Sequence, residues 1–171
     1  MSESRGPLAL RIEYLADHLT FAPQLATWHF AEWSRLFPWW TAEAALHELQ
    51  GHVWRCHLPT TLVALDDGAL VGSVSLIAHD LIEYPQYTPW LASLYVRRDV
   101  RRCGVGSALV ERLIDESSRL PISDLFLFTT DHDLYYMRWG WAVEQRITYH
   151  GVPGTIMRRV ADASDGPRLT G

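Results

Sequence analysis

An apolar run from Trp90 to Val96 passes through a short basic turn into a helical pattern that begins near Gly104. A strand, a turn and a helix in direct succession form a frame that can hold phosphates. Gly104 and Gly106 let the backbone approach a ligand closely, and the first N–H groups of the following helix attract anions. Arg101 and Arg102 add charged donors that suit phosphate oxygens. The segment therefore predicts a phosphate-binding loop.

Two common nucleotide-binding motifs do not fit this turn. The order Gly104-x-Gly106-x-x-Leu109 lacks the third glycine of the dinucleotide fingerprint. No Gly-Lys-Ser or Gly-Lys-Thr follows the glycines, as a P-loop would require. A purely structural turn is the alternative that these six residues leave open when they are taken alone.

The pattern Arg101-x-x-Gly104-x-Gly106 resembles the pyrophosphate-binding motif of the GNAT superfamily of acyl-CoA N-acyltransferases. Downstream, the segment from Asp133 to Trp141 is similar to the family's Phe-Tyr-x-x-Leu-Gly-Phe segment. The two motifs occur in the family's order, with a helix and a strand between them. Together they favour the resemblance over a chance turn, and the resemblance covers most of residues 8–160.

The resemblance implies a binding site for acetyl-CoA. The pyrophosphate would lie on the glycine loop, and the pantetheine amides and thioester carbonyl would pair with the main chain of the central strand. Thr129 stands where many family members have an asparagine beside the cofactor. The residues assigned to the cofactor are Leu94, Tyr95, Val96, Arg101, Arg102, Cys103, Gly104, Val105, Gly106, Ser107 and Thr129.

Tyr136 falls on the tyrosine that GNAT enzymes commonly use as the general acid. A phenol with a pKa near ~10 stays protonated at neutral pH and can donate its proton to a departing thiolate. Packing as an ordinary core aromatic residue is the alternative. The position of Tyr136 in the motif favours catalysis.

We predict that Glu83, in the loop before the central strand, is the general base, acting directly or through a water molecule. His79 is an alternative, because an unperturbed histidine has a pKa near ~6.5. Glu32 on the first helix is another, although it is equally suited to binding an amine. Each of these residues is also compatible with a solvated surface position.

Tryptophan is dense between residues 28 and 40, in the region that forms a wall of the acceptor site in proteins of this fold. Aromatic faces there would hold a cationic or aromatic amine, with Glu32 or Glu83 as its charge partner. The alternative is that most of these rings belong to the core or to a dimer interface, and helical spacing favours this for Trp28 and Trp33. The predicted substrate-binding residues are Glu32, Trp33, Trp39 and Trp40.

The chain has 171 residues and a formal net charge of −5, which fits one globular domain and argues against nucleic-acid binding. No apolar stretch is long enough to span a membrane, and the N-terminal residues lack the apolar core of a signal peptide. We therefore expect a cytoplasmic protein without a membrane partner. Cys56 and Cys103 have no partners at metal-ligand spacing, so we expect no metal and no disulfide framework.

Hydrophobic periodicity predicts the order β-α-α-β-β-β-α-β-α-β-β over residues 8–160. Thr41 is expected to cap the second helix, and Asp66-Asp67-Gly68 to turn a hairpin. The fold class is α+β, an α/β sandwich with a single mixed, mostly antiparallel sheet flanked by helices, as in the GNAT fold. Residues 1–7 and 161–171 are expected to be flexible termini.

We predict an N-acetyltransferase that passes the acetyl group of acetyl-CoA directly to a primary amine of a small molecule or protein in a ternary complex. Neither cysteine is marked as an acyl-carrying nucleophile, which disfavours a ping-pong route. One alternative is a non-catalytic CoA-binding or sensing module of the same fold. Another is a structural partner protein that docks through its tryptophan-rich segment. A homodimer is also compatible with the sequence.

Overall fold

The structure, a computed structural model, describes residues 7–161. Within this range seven strands and four α-helices follow the predicted order. Their bounds are β1 (Leu10–Tyr14), α1 (Ala22–Trp33), α2 (Ala42–Gly51), β2 (Thr60–Asp66), β3 (Ala69–Ile77), β4 (Trp90–Val96), α3 (Val105–Ser117), β5 (Asp124–Thr129), α4 (Asp133–Met137), β6 (Ala142–Tyr149) and β7 (Val152–Val160). Apart from Pro7 and Ala161, the two predicted flexible termini lie outside the described residues.

The seven strands form one sheet in the order β1-β2-β3-β4-β5-β7-β6. Every neighbouring pair is antiparallel except β4 and β5. These two strands are parallel because the chain crosses over between them through α3, as a parallel connection requires. The mixed, mostly antiparallel sheet and the α+β class are therefore confirmed.

Helices cover both faces of the sheet. In β2, Leu62 and Ala64 belong to the core that contains α3, whereas Val63 and Leu65 belong to the core beneath α1 and α2. This division follows from the alternation of strand side chains between the two faces of a sheet. A further cluster around Phe126 continues the α1–α2 face across β5, β6 and β7.

Local sequence signals account for several element ends. The Thr41 hydroxyl accepts a hydrogen bond from the Ala44 N–H at 3.1 Å and caps α2, as predicted. Asp67 and Gly68 have φ values of +49° and +81° in the predicted hairpin turn between β2 and β3. The helical spacing of apolar residues predicts a first helix from Ala22 to Leu36. Helix α1 ends three residues earlier, at Trp33, and a turn replaces its last part. No helix in residues 7–161 combines the length and apolar character needed to cross a membrane.

Candidate functional site

The sheet opens between β4 and β5. The register of these two strands contains the single pair Trp90–Phe126, and the Phe126 N–H donates to the Pro89 carbonyl at 2.9 Å. Past this pair the two strands separate, and the β5-facing edge of β4 has no ladder partner among residues 7–161. Main-chain groups near residues 94–96 are thus available to a ligand that carries amides.

A bulge in β4 accompanies this opening. Ser93 has a φ of +52°, an uncommon conformation for a residue that is not glycine. On the neighbouring strand the β3–β4 register shifts between Ser73 and Ser75. An extra residue in one strand bends it and increases its twist, so the bulge turns β4 away from β5.

The glycine loop leads directly into α3. Gly104 has a φ of +84°, and a Cβ atom at this position would meet nothing within 4 Å. No side chain caps the helix. The Ala108 N–H bonds to the Gly104 carbonyl at 3.0 Å, so the three N–H groups before it have no acceptor within the helix. The predicted loop residues Arg102 and Cys103 are exposed beside this uncapped end, which fits a phosphate group.

Gly106 has a second role that the sequence did not indicate. A Cβ atom at Gly106 would lie 2.8 Å from the Tyr135 hydroxyl oxygen of α4. The Ser107 side chain also hydrogen-bonds to Tyr135. The missing side chain therefore lets α4 pack onto the first turn of α3, which brings the two predicted motifs together.

Arg101 turns away from the loop toward α1. Its Nε donates to the Val96 carbonyl at 2.9 Å, and its guanidinium lies 5.9 Å from the centre of the Tyr95 ring. Its terminal nitrogen lies 3.8 Å from the Glu32 carboxylate. Arg101 was predicted to bind the pyrophosphate and Glu32 to bind the acceptor, and in this structure the two residues face each other.

The Tyr95 side chain lies among the rings of α1. Trp28 stacks on it with ring centres 5.2 Å apart, and Trp33 meets it edge-on at 6.4 Å. These contacts agree with the inward orientation that helical spacing indicated for both tryptophans. Leu94 and Val96, on either side of Tyr95 in the strand, pack against the opposite core with α3.

Tyr136 lies in α4, close to the opening of the sheet. The residue is 9% exposed, and its ring packs edge-on against Tyr135 and Trp141 at 5.2 and 6.0 Å. Burial raises the pKa of Tyr136 above its ordinary value, and Tyr135 adds to the effect. Among the described residues, only Trp141 has a side-chain polar atom that is both sealed from solvent and unpartnered. The Tyr136 hydroxyl makes no hydrogen bond within residues 7–161 and is not completely sealed from solvent.

Thr129 already has a hydrogen-bond partner within the chain. Its hydroxyl accepts from the His132 N–H at 3.0 Å and closes the turn that leads into α4. The side chain is buried, with 7% exposure. Its hydroxyl proton remains free to donate, so a contact to the cofactor stays a prediction for this residue.

On the α1–α2 face a row of aromatic rings extends from β5 to the surface. Phe128 lies 5.9 Å from Tyr149 of β6, and Tyr149 lies 5.8 Å from Phe37. Phe37 in turn meets Trp39 and Trp40 at 5.9 and 6.3 Å. Trp39 is 55% exposed, so this row joins the neighbourhood of the β4–β5 opening to solvent.

The predicted base Glu83 lies at the outer end of this row. The Tyr149 hydroxyl hydrogen-bonds to its carboxylate and lowers the pKa of Glu83, and His150 acts in the same direction. The carboxylate lies 3.3 Å from the His150 Nε2 atom. Glu83 is thus an exposed, ionised partner for these two side chains. The alternative His79 is exposed in the same loop.

Asp80 received no role from the sequence. It is partly exposed in the loop after β3, and burial, followed by the charge of Glu48, raises the pKa of Asp80 to about 7. Glu48 of α2 accepts a hydrogen bond from the Trp40 indole at 3.0 Å, and burial raises the pKa of Glu48 as well. A carboxyl group with a pKa near neutrality suits proton transfer. A loop aspartate gives no sign of this in the sequence, because the charge of Glu48 comes from a separate segment, α2.

Two separate polar groups lie between the sheet and the helices α1 and α2. The His29 Nε2 atom is 2.9 Å from the Ser73 hydroxyl. Thr61 lies 2.8 Å from the Ser75 hydroxyl and 2.7 Å from His52 Nδ1. Burial lowers the pKa of His29 to about 3 and that of His52 to about 4. Both rings are therefore neutral at pH 7, and they satisfy buried hydroxyl groups of the strands.

Within residues 7–161, no three His, Cys, Asp or Glu side chains lie close enough together to hold a metal ion. The model of the acetyltransferase (GNAT) family matches residues 20–139, which is more than half of the chain. No curated protein matches the sequence.

Several solved structures share the fold. A GNAT-family acetyltransferase from Staphylococcus aureus Mu50 has 15% identity and a TM-score of 0.68, with 90% of this chain and 100% of that chain covered. An aminoglycoside 6′-acetyltransferase type Ii has 19% identity, a TM-score of 0.66 and coverages of 92% and 99%. A Salmonella typhimurium protein solved with its cofactor acetyl-CoA has 18% identity, a TM-score of 0.65 and coverages of 95% and 99%.

Proposed function

This chain belongs to the GNAT family of acetyltransferases, and we propose that it transfers the acetyl group of acetyl-CoA to the nitrogen of a primary amine. One arrangement carries the proposal: β4 has an open edge, the N-terminus of α3 that follows it is uncapped, and α4, which carries Tyr136, packs onto the first turn of α3 beside Val96. Such an arrangement suits a long ligand with a diphosphate at one end and a reactive thioester at the other.

The residues around the opening fit acetyl-CoA. The main chain at 94–96 suits the pantetheine amides, and the first N–H groups of α3 suit the diphosphate. Gly104 leaves open space at the loop, and the exposed Arg102 adds a positive charge beside it. Acetyl-CoA supplies an activated acetyl thioester, so the protein needs only to orient it and to move protons.

Transfer forms one bond between the amine nitrogen and the acetyl carbon and breaks the carbon–sulfur bond. The amine gives up one proton and the departing sulfur takes up one. Tyr136 is the group that donates to the sulfur. Its raised pKa keeps the phenol protonated at neutral pH, and its hydroxyl, which is not completely sealed from solvent, is restored by proton uptake from solvent.

Two carboxyl groups on the α1–α2 face are candidates for the base. Glu83 is ionised at neutral pH, and its lowered pKa makes it a weak base that is better suited to attracting an ammonium group. Asp80 has a pKa of about 7, which suits a group that takes up a proton and returns it to solvent in each cycle. We assign proton acceptance to Asp80 and attraction of the amine to Glu83.

The acceptor is a cationic or aromatic amine. The row from Phe128 to Trp39 offers aromatic faces for stacking and cation–π contact, and Asp80, Glu48 and Glu83 give this side a negative potential. The fold shared with an aminoglycoside 6′-acetyltransferase is in keeping with a small-molecule acceptor. A protein amine is compatible with the same groups, and both acceptor classes belong in a substrate screen.

The test measures release of free CoA thiol in the presence of a panel of amines, with mass spectrometry of the products. We expect acetylated amine and free thiol in equal amounts. Tight binding of acetyl-CoA without acetylated product from any amine would favour the non-catalytic CoA-binding alternative. If calorimetry detects no binding of acetyl-CoA, both the acetyltransferase proposal and the CoA-binding alternative are wrong.

A further inference from the structure

Strand β4 contains one residue more than the stretch of β3 that it faces. Ser75 of β3 pairs with Ala92, and Ser73 pairs with Tyr95. One residue of β3 therefore lies opposite two residues of β4, and one of these two, Ser93, has a φ of +52°. Such a bulge moves every later residue of β4 by one position relative to β3.

The bulge exchanges the two faces of β4. Leu91 before the bulge and Leu94 after it both pack in the core with α3, although they are three positions apart. Regular alternation would place residues 91 and 94 on opposite faces. In a straight register, with no extra residue in β4, Leu94 and Val96 would point toward α1, and Tyr95 would point toward α3.

The sequence of β4 does not select the bulged register by itself. Leu94, Tyr95 and Val96 are all apolar, so either register gives both faces apolar side chains. An alternating pattern is what normally fixes the register of a strand. The left-handed conformation of Ser93 also opposes the bulge, because a side chain strains that conformation. Contacts from another part of the chain must therefore favour the bulged register.

Helix α1 supplies contacts that only the bulged register allows. The Trp28 ring stacks on the Tyr95 ring with centres 5.2 Å apart, and the rings of His29 and Trp33 lie 6.3 and 6.4 Å from it. We refer to Trp28, His29 and Trp33 as the Tyr95 cage. The cage holds a large side chain that has only 9% exposure. A straight register would remove the Tyr95 ring from all three of these partners.

The cage also holds the β3 residue opposite Tyr95. The His29 Nε2 atom lies 2.9 Å from the Ser73 hydroxyl, and both side chains are buried. A buried hydroxyl that loses its partner is costly, so this contact ties α1 to β3. The cage therefore contacts both members of the Ser73–Tyr95 pair, which is the first pair after the bulge.

The register of β4 determines which main-chain groups reach the β4–β5 opening. The Arg97 N–H donates to the Val71 carbonyl of β3 at 2.8 Å. Successive residues of a strand direct their main-chain groups to opposite edges. Those of Tyr95 are therefore directed toward β3, and those of Leu94 and Val96 toward β5. A slip of one residue would direct the groups of Tyr95 to the opening instead and would displace the glycine loop that follows.

We propose that the Tyr95 cage positions the acetyl-CoA site, because it holds β4 in the bulged register and so directs the main chain of Leu94 and Val96 to the opening. The proposal rests on the binding of acetyl-CoA that is part of the function proposed above. It makes Trp28 and His29 positioning residues, which act through Tyr95 and Ser73 on the edge of β4.

Trp28→Ala tests the cage by removing the stacked ring. We expect calorimetry to show a Kd of acetyl-CoA about tenfold higher, because the binding-competent bulged register falls to about one tenth of the molecules. Trp28→Leu replaces this variant if the alanine variant does not fold. Phe30→Ala is the matched control, because Phe30 is a half-buried ring of the same helix but lies 6.2 Å from Trp40 instead of Tyr95. An unchanged Kd in the folded Trp28 variant would overturn the proposal.

A glycine at the bulge distinguishes positioning from general stabilisation. Glycine adopts the left-handed conformation without strain, so Ser93→Gly added to Trp28→Ala should return the Kd close to the wild-type value. Asp67→Gly is the control, since Asp67 has a φ of +49° in the turn between β2 and β3 and relieves a similar strain away from β4. We expect the Kd to stay raised with Asp67→Gly. Rescue by both glycines, or by neither, would contradict the proposal.

NMR of the free protein separates failure of the cage from failure of the proposed function. In the wild-type protein, nuclear Overhauser effects should connect Ser73 with Tyr95 across the strands, whereas a straight register would place Leu94 opposite Ser73. We expect Trp28→Ala to show mainly the contacts with Leu94, and Ser93→Gly to restore those with Tyr95. If Trp28→Ala keeps the bulged register, the cage does not hold it, whatever the protein binds. If the register shifts but the wild-type protein binds no acetyl-CoA, the cage holds the register and the proposed function is wrong.

Discussion

The two sides of the β4–β5 opening are built from different parts of the chain. On the side that we propose for the cofactor, the open strand edge, the glycine loop and the start of α3 all lie within residues 90–108, and the groups that they offer to a ligand belong mostly to the main chain. On the acceptor side, side chains from the α1–α2 loop, the β3–β4 loop and the β6–β7 turn converge from separate segments. The first side is therefore contiguous in the sequence, and the second exists only after folding.

The two sides are expected to respond differently to amino-acid substitutions. A main-chain site tolerates many side chains as long as the glycines and the strand–helix order remain. A side-chain site changes its chemistry with single substitutions in surface loops. We expect substitutions on the cofactor side to affect all acceptors alike, and substitutions on the acceptor side to change which amine is used.

The largest effect is expected where the two sides meet, at Tyr136. Tyr136→Phe keeps the packed ring and removes the hydroxyl, so turnover should fall by ~10²-fold while acetyl-CoA affinity stays nearly constant. Steady-state kinetics under conditions in which chemistry limits the rate, together with calorimetry, give both values. Tyr87→Phe is the control, because its hydroxyl donates to Gln145 at the protein surface. Wild-type turnover in Tyr136→Phe would return this residue to a packing role.

Gly104→Ala tests the main-chain character of the cofactor side. The left-handed conformation strains an alanine by about 1 kcal/mol and displaces the N–H groups before α3, so we expect the Kd of acetyl-CoA to rise about tenfold. Gly68→Ala provides a matched control, since Gly68 has a φ of +81° and nothing within 4 Å of a Cβ atom. Calorimetry of unfolding should show equal losses of stability in the two variants. Calorimetry of binding should show a weaker affinity for acetyl-CoA only in Gly104→Ala. Equal affinities in the two variants would contradict the phosphate-binding loop.

Substitution of Glu83 and of Glu32 should affect different substrates, and this difference distinguishes the acceptor side from the cofactor side. Glu83→Gln should raise the acceptor KM about threefold and leave that of acetyl-CoA unchanged, because the charge of the Glu83 carboxylate attracts the amine. Glu32→Gln releases Arg101 from an exposed ion pair, so its effect, of similar size, should fall on acetyl-CoA. Initial rates with each substrate varied in turn measure both constants. A rise of the acceptor KM in Glu32→Gln would restore Glu32 to the acceptor pocket.

The smallest expected effect is on thermal stability, and it involves Asp80 on the acceptor side. Asp80 releases its proton near pH 4 when unfolded and near pH 7 when folded, so the folded state binds more protons between these values. Its contribution is therefore fully present at low pH and is lost as the pH rises through about 7. Asp80→Asn should raise the Tm by about 3 °C at pH 8 and leave it unchanged at pH 4. Thermal unfolding at both pH values measures this, and Asp67→Asn in the exposed hairpin should show no such difference.

The order of the elements was readable from the sequence because each depends on local patterns. Alternating residues in β2, the Thr41 cap and the Asp67–Gly68 turn all act within a few positions. The end of α1 was placed three residues too far, since the turn after Trp33 is stabilised by contacts that periodicity does not contain. The loop at Gly104 was likewise recognised as a contiguous motif.

The contacts of several site residues could not be predicted from local sequence patterns. Arg101 and Glu32 are 69 positions apart in the sequence and meet only because α1 packs beside the end of β4. Asp80 has an unremarkable loop position, and its raised pKa comes from burial next to Glu48 of α2. Glu83 was selected for its loop, but its partners Tyr149 and His150 come from the hairpin at the far edge of the sheet.

The sequence by itself determined the family, the order of strands and helices and the glycine loop between β4 and α3, because these depend on hydrophobic spacing, glycine conformations and a motif within one short segment. Only the tertiary structure decided where β4 and β5 separate, which carboxyl group has its pKa raised, and which loops meet beside Tyr149. Those features arise from packing between segments distant in the chain, and burial sets both the pKa of a carboxyl group and the access to it.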